Sequence, residues 1–325
     1  MTAGREVSLR DIYAARARLH GHIAPTPLRE SAWLSSMAAV PVLLKLESVQ
    51  LTGSFKIRGA MNATWRLARA ARRPTIVTAS AGNHGQAIAF AAERLGVPAV
   101  VFTPAAAPDT KKAAIRRDGA ELRDEAPDYD TAEQLAREYA AREDATFISP
   151  YNHPDVIAGA GTIALEILEA APDVGTIVVP VGGGGLASGI GTAIKSAAPD
   201  MVVVGVEVEA SRAFAVGLAE GAITTVDVRP SLADGLVGNL EPDSMTFGIV
   251  RRCVASLLSV SETDLRRAIR GLVAEEHVIA EGAGAAATAA ILAGLALRPR
   301  RRVVVLVTGA NIDLALLSQT LGEQA

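Results

Sequence analysis

The sequence is poor in several features, and each absence removes a class of protein. Of 325 residues only one, Cys253, is a cysteine. That excludes an intramolecular disulfide framework and fits a reducing compartment; Cys253 itself is expected in the core. An excess of one charge is also missing. Lys and Arg number 32 against 35 Asp and Glu, a formal net charge of −3. The basic run Arg300–Arg302 is too short for a nucleic-acid surface. No apolar stretch is long and unbroken enough for a membrane span: the alanine-rich segment from Gly282 to Leu297 is interrupted by glycine. No apolar secretory core follows Met1–Glu6. Tandem repeats and low-complexity linkers are absent. His20, His22, His153 and His277 lack the spacing to cysteines or carboxylates of a metal site, so no resident metal is expected. The expectation is a cytoplasmic protein that binds neither nucleic acid nor membrane. Half of its residues are apolar, enough for a substantial core in two domains or lobes.

What is present is an alternation. Short β-branched runs at Val42–Glu47, Thr75–Thr78, Ala99–Thr103, Thr146–Ile148, Thr176–Val181, Met201–Val208 and Arg302–Thr308 predict strands. Alanine- and leucine-rich stretches between them predict helices, among them Asn83–Leu95, Tyr129–Arg142, Ala158–Ala170, Leu186–Ala197 and Glu262–Glu276. Continuous apolar runs such as Val303–Val307 predict strands buried on both faces, so an α/β fold with parallel sheets follows. Pro104–Pro127 is polar and punctuated. In such sheets ligands bind beyond the carboxyl ends of the strands. Three strand ends run into unusual loops: Ala79–Gly85, Gly182–Gly185 and Thr308–Asn311.

Two segments carry candidate chemistry. Lys56 lies in Thr52-Gly53-Ser54-Phe55-Lys56-Ile57-Arg58-Gly59-Ala60. Burial there lowers a lysine pKa and makes the amine a nucleophile able to form a Schiff base; taken alone, such a residue is more often an ordinary solvated lysine at a helix start. The four glycines Gly182–Gly185 leave backbone N–H groups free for an anion, and the following helix adds its positive end. Two guests suit that cup. Gly182-x-Gly184-x-x-Ala187 with Glu207 fits a dinucleotide pattern and a nicotinamide-dependent dehydrogenase. A monophosphate cofactor needs only the cup and also leaves a use for Lys56 and the Ser80–His84 loop.

Taken in order, Pro25–Leu28, the Lys56 run, Ala79–Gln86, Pro150–Asn152, Gly159–Glu166, Gly182–Leu186, Ala233–Gly235 and Thr308–Asn311 resemble the fold type II, tryptophan-synthase-β-like enzymes of pyridoxal phosphate. The nearest branch is the threonine/serine dehydratases and serine racemases. The resemblance implies a two-lobed α/β enzyme with mainly parallel sheets flanked by helices, often a homodimer. Residues 1–74 with 153–325 would form the large cofactor-binding lobe, and 75–152 a small mobile lobe. It also implies roles. Lys56 would carry the Schiff base and act on the α-proton. Phe55 would lie beside the cofactor ring, Asn83 would bond its phenolic oxygen, and Thr308 would meet the pyridine nitrogen. Gly182, Gly183, Gly184 and Gly185 would hold the phosphate. Ser80, Gly82, Asn83 and His84 would receive the substrate carboxylate, and Asn152 would line the site. The implied activity is elimination of a β-hydroxyl from L-threonine or L-serine, giving a 2-oxo acid and ammonia. Phenylserine or 3-hydroxyaspartate as substrate, and serine racemisation, are the near alternatives.

Departures from the pattern refine the expectation. Racemases of the branch carry two serines before Gly-Asn-His; here the pair is Ser80-Ala81, and alanine transfers no proton. Their cation site pairs a carboxylate at the position of Glu207 with an aspartate where this chain has Ala213, so metal activation is not expected. Ala310 replaces a common glycine and is expected to shift its loop. Glu281 stands either as an acid near the cofactor or as a helix N-terminal charge. The short stretch after Asn311 argues against a C-terminal regulatory domain and for a catabolic role.

Overall fold

The computed structural model describes residues 6–70, 74–294 and 301–322. Arg300, most of Met1–Glu6 and the end of the Gly282–Leu297 stretch lie outside them. The strands are β1 Leu28–Ser31, β2 Val42–Leu46, β3 Ile76–Ala79, β4 Ala99–Pro104, β5 Glu121–Ala126, β6 Thr146–Phe147, β7 Val174–Pro180, β8 Val202–Val208, β9 Ser256–Val260 and β10 Arg302–Val307. The first helices are α1 Leu9–Leu19, α2 Ala32–Ala38, α3 Lys56–Ala68, α4 Asn83–Leu95, α5 Asp109–Arg117, α6 Tyr129–Arg142 and α7 Pro154–Ala170. There follow α8 Gly185–Ala197, α9 Ala213–Glu220, α10 Met245–Cys253, α11 Glu262–Ala274, α12 Gly282–Leu292 and α13 Leu314–Gly322.

The strands form two sheets. One has six strands in the order β1-β2-β10-β7-β8-β9, the other four in the order β5-β4-β3-β6. Every pairing is parallel except β1 with β2. The six-stranded sheet is covered on one face by α1, α7, α8 and α10, and on the other by α2, α11, α12 and α13. That double covering is why β10 and the Ile177–Val179 stretch of β7 read as unbroken apolar runs. The smaller sheet packs α6 on one face and α3, α4 and α5 on the other. Ile57 and Met61 of α3 thus belong to the core beneath the smaller sheet.

Three strands went unseen in the sequence: β1, β5 and β9. Each is a sheet edge. Edge strands carry polar and charged residues that blunt further pairing, and Glu121-Leu-Arg-Asp-Glu-Ala126 alternates too weakly to announce itself. The punctuated stretch after Pro104 holds α5 and β5. Cys253 is a correction: it ends α10 half-buried rather than inside the core.

One helix fixes the positions of two others. A Cβ on Gly59 of α3 would lie 2.8 Å from the Val156 carbonyl oxygen of α7, and a Cβ on Gly161 of α7 would lie 2.9 Å from the Gly189 carbonyl oxygen of α8. Only glycine lets these backbones touch. Lys56 opens α3 and the glycine cup opens α8, so α7 sets the distance between them.

Candidate active site

Lys56 is brought to the sheet ends by a short antiparallel pairing. Phe55 N–H donates to the Thr308 carbonyl at 3.0 Å, Ala310 N–H donates to the Gly53 carbonyl at 2.9 Å, and Ser54 bridges Gly309. Thr52 takes the left-handed conformation (φ 61°) to enter this turn. Lys56 Nζ donates to the Pro150 carbonyl at 3.1 Å and sits 5.3 Å from the centre of the Phe55 ring. Loss of hydration lowers its pKa to about 8, against the opposing pull of Glu281.

A buried ionic cluster holds the first turn of α3. Arg58 Nε and Nη2 donate to the two oxygens of Glu47 at 2.8 and 2.9 Å, and Nη1 donates to Glu166 at 2.6 Å. Lys45 Nζ completes the set on Glu166 at 2.5 Å. Burial alone would raise the Glu166 pKa, but Arg58 and Lys45 hold it below the ordinary value.

The glycine cup lies beyond β7. Gly184 has φ 82° and caps α8. A Cβ on Gly183 would collide with the Tyr151 ring, and one on Gly185 would lie 3.0 Å from Tyr151 Cα. Behind the cup, Thr246 Oγ1 donates to the Gly183 carbonyl at 2.8 Å. The first-turn N–H groups of α8 have no acceptor within the helix. The same holds for Asn83, His84 and Gly85 in α4, where Gly82 N–H reaches back to Ser80 Oγ at 3.2 Å.

Asn83 is clamped from two sides. Its Nδ2 donates to Glu281 Oε1 at 2.5 Å, and its Oδ1 accepts from Asn311 Nδ2 at 2.7 Å. Asn311 also donates to the Thr52 carbonyl at 2.8 Å. Glu281 makes no side-chain cap bond to the helix it precedes. It stands at the N-cap position of α12 and reaches Asn83 within the site. Burial, reinforced by Asp234, raises its pKa to about 7. Thr308 Oγ1 donates weakly to the Ala283 carbonyl at 3.3 Å. Ala310 does not take a positive φ, so alanine imposes no strain on that loop.

His84 is buried, with Nε2 3.4 Å from the Ile148 carbonyl and Nδ1 without a partner. Burial and the nearby Lys56 push its pKa down to about 3, so it is neutral. The Asn152 amide is engaged elsewhere: it donates to Glu241 at 2.8 Å and accepts from Met245 N–H at 3.0 Å. His153 caps α7, while His20 and His277 are exposed. Glu207 is buried and accepts from Phe214 and Ala215 N–H at 2.8 and 2.9 Å, capping α9; burial raises its pKa to about 7. Among the described residues no group of three His, Cys, Asp or Glu is placed to hold a metal, and no helix is long and apolar enough to cross a membrane.

Sequence reasoning thus left three residues without a role: Tyr151, Thr246 and Asn311. Tyr151 and Asn311 stood inside motifs already singled out, whereas nothing marked Thr246.

The residues fit a phosphorylated aldehyde. The glycines of the cup leave little room for a Cβ and open the α8 N-terminus, and the desolvated Lys56 amine is held by the Pro150 carbonyl, next to the Tyr151 ring that walls the cup. Residues 19–309 match the family described as pyridoxal-phosphate dependent enzyme. The chain is 39% identical over 317 residues to an L-threonine ammonia-lyase of Thermotoga maritima, covering 98% of this chain and 79% of that one. Among solved structures, maize serine racemase superposes with a TM-score of 0.91 at 30% identity, covering 98% of this chain and 97% of the other. A threonine deaminase from T.th. gives 0.86 at 37%, covering 94% and 99%. Fold, cup and lysine agree with that sequence match, and the chain belongs to the pyridoxal-phosphate dependent enzymes.

Proposed function

We propose that this enzyme is an ammonia-lyase that removes the β-hydroxyl of L-threonine or L-serine as water and releases an enamine. Hydrolysis of that enamine gives a 2-oxo acid and ammonia. When bound, pyridoxal phosphate supplies the electron sink that makes the substrate α-proton acidic. Lys56 Nζ accepts that proton; an amine with a pKa drawn down to about 8 is a competent base near neutral pH. Gly182–Gly185 and the α8 N-terminus would hold the phosphate, with Tyr151 as one wall. Phe55 would flank the cofactor ring, and Asn83, oriented by Glu281 and Asn311, would present its amide to the ring oxygen. Thr308 would offer the ring nitrogen a neutral hydroxyl. The substrate carboxylate would sit on the N–H groups of the Ser80–His84 turn. Neutral His84 would orient that turn, and Asn152 would border the site through its hold on Glu241.

The observation that carries this reading is the desolvated Lys56 amine, held by the Pro150 carbonyl next to the Tyr151 wall of the glycine cup. Ala81 supports elimination over racemisation, because it leaves no hydroxyl beside Ser80. The separate four-stranded sheet supports a small lobe at 75–152, although α3 of the preceding segment packs beneath it. A homodimer rests on the family resemblance and is checked by sedimentation. A cytoplasmic location rests on the lone cysteine, and fractionation of the cells checks it.

The test is 2-oxo acid release by purified enzyme on L-threonine, L-serine, L-threo-phenylserine and 3-hydroxyaspartate, with visible spectra recorded alongside. L-threonine or L-serine should be preferred, and Lys56→Ala should lose both turnover and the cofactor's lysine-bound absorption. Inversion of L-serine faster than its deamination would refute the lyase reading.

A further inference from the structure

The Ala233-Asp234-Gly235 motif has no part in the chemistry above, yet the structure places it at the cleft. Asp234 opens a short 3-10 turn, Asp234–Leu236. A Cβ on Gly182 of the cup would lie 2.9 Å from Leu236 Cα and 3.0 Å from the Gly235 carbonyl oxygen. Across the opening α5 contributes Lys111. Its Nζ donates to Asp234 Oδ2 at 2.7 Å. The same nitrogen lies 3.9 Å from the point where a side chain on Gly82 would begin. A cation beside the smaller sheet and an anion beside the larger therefore meet over the carboxylate-binding turn. Lys111 is the more enclosed partner, its side chain 22% exposed against 63% for Asp234. Both charges are felt inside the site, where Asp234 raises the Glu281 pKa and Lys111 lowers it.

An unpaired ammonium at this place would attract a second carboxylate on a small amino acid whose first is seated on the α4 N-terminus. Paired, it offers no net attraction. A dicarboxylate must then either displace Asp234, leaving that carboxylate without its partner, or sit against it and Glu281. Like charges at such range disfavour the wrong ligand more than contacts favour the right one.

We infer that Asp234 neutralises Lys111 and that this ion pair is the specificity determinant reserving the cleft for hydroxy amino acids with uncharged side chains. The inference rests on the dehydratase reading and narrows it, setting L-threonine and L-serine apart from 3-hydroxyaspartate. Lys111 and Asp234 act on the choice of substrate and take no proton from it.

The test uses the holoenzyme and two ligands of similar length that lack a β-hydroxyl, L-2-aminobutyrate and L-aspartate. Binding is read by calorimetry and by the shift of the cofactor's visible band. Wild-type enzyme should bind L-2-aminobutyrate more tightly. Asp234→Asn should tighten L-aspartate by up to about fivefold, the scale of one uncovered charge at a partly exposed site, with L-2-aminobutyrate little changed. Adding Lys111→Met to that variant should return L-aspartate to its wild-type weakness. The visible band reports whether each variant is folded and loaded. An unchanged affinity ratio in Asp234→Asn overturns the inference, and so does tight L-aspartate binding that survives loss of Lys111. Failure of the wild-type enzyme to bind L-2-aminobutyrate is a different result: it defeats the dehydratase reading, and the inference falls with it.

Discussion

Replacing Lys56 by methionine should stabilise the cofactor-free protein at neutral pH, although it removes the residue on which the chemistry depends. Burial holds the Lys56 pKa at about 8, against 10.5 for an ordinary lysine. At about 1.4 kcal/mol per pKa unit, the folded state bears a penalty of about 3 kcal/mol wherever both folded and unfolded chains are protonated. That condition holds below about pH 8. From there to 10.5 the unfolded chain holds more protons than the folded one, so stability rises with pH. Above that range both forms are neutral and the penalty is gone. Methionine has a similar length and no charge. It forfeits the hydrogen bond to the Pro150 carbonyl, worth about 1 kcal/mol. Glu281 loses a neighbouring cation, which trims the gain slightly. The expected net stabilisation is about 2 kcal/mol near pH 7, shrinking as the pH approaches about 10. Urea unfolding of cofactor-free wild-type and Lys56→Met protein at both pH values measures it. A variant no more stable than wild type near neutrality, or a difference that does not change with pH, would refute the reasoning.

Other outcomes follow from the same geometry. Arg58→Met strips Glu47 of its ion pair and leaves Lys45 as the cation bonded to Glu166, and should lower the stability read from the urea midpoint by about 3–5 kcal/mol. Gly183→Ala drives a methyl group into the Tyr151 ring and should weaken cofactor binding more than about tenfold in a fluorescence titration. Adding Tyr151→Ala should recover part of that loss. Both Glu207 oxygens are taken by the Phe214 and Ala215 N–H groups, so magnesium or a chelator should leave 2-oxo acid release unchanged. A magnesium-dependent rise reversed by the chelator would refute that.

The sequence spoke most clearly where one physical cause dominates. Inner strands such as β7 and β10 are covered on both faces and announce themselves as apolar runs. Helices α4 and α6 fall on their expected bounds because glycine and aspartate mark their starts. The edge strands β1, β5 and β9 were silent because an edge must be polar enough to stay unpaired. The same division runs through the site. Lys56, Asn83 and the four glycines were legible as local motifs. The clamp on Asn83 was not, since Glu281 reaches it from the start of α12 and Asn311 from the end of β10, and no spacing along the chain encodes that meeting. Glu207 looked alike as a ribose ligand, a cation ligand or a cap; only the two N–H groups of α9 decide for the cap.

The place of β10 has a consequence for how the protein is made. This strand lies between β2 and β7 in the middle of the larger sheet, yet every other strand precedes it in the chain. A nascent polypeptide halted before Arg302 holds β2 and β7 with nothing between them, each presenting an open edge to solvent and to other nascent chains. It also lacks Thr308–Asn311, and with them the pairing that seats Lys56 and the second hold on Asn83. The cleft therefore cannot form until residues 302–311 have been made and have docked between β2 and β7. Until then, protection of the exposed sheet edges falls to whatever binds the chain at the ribosome.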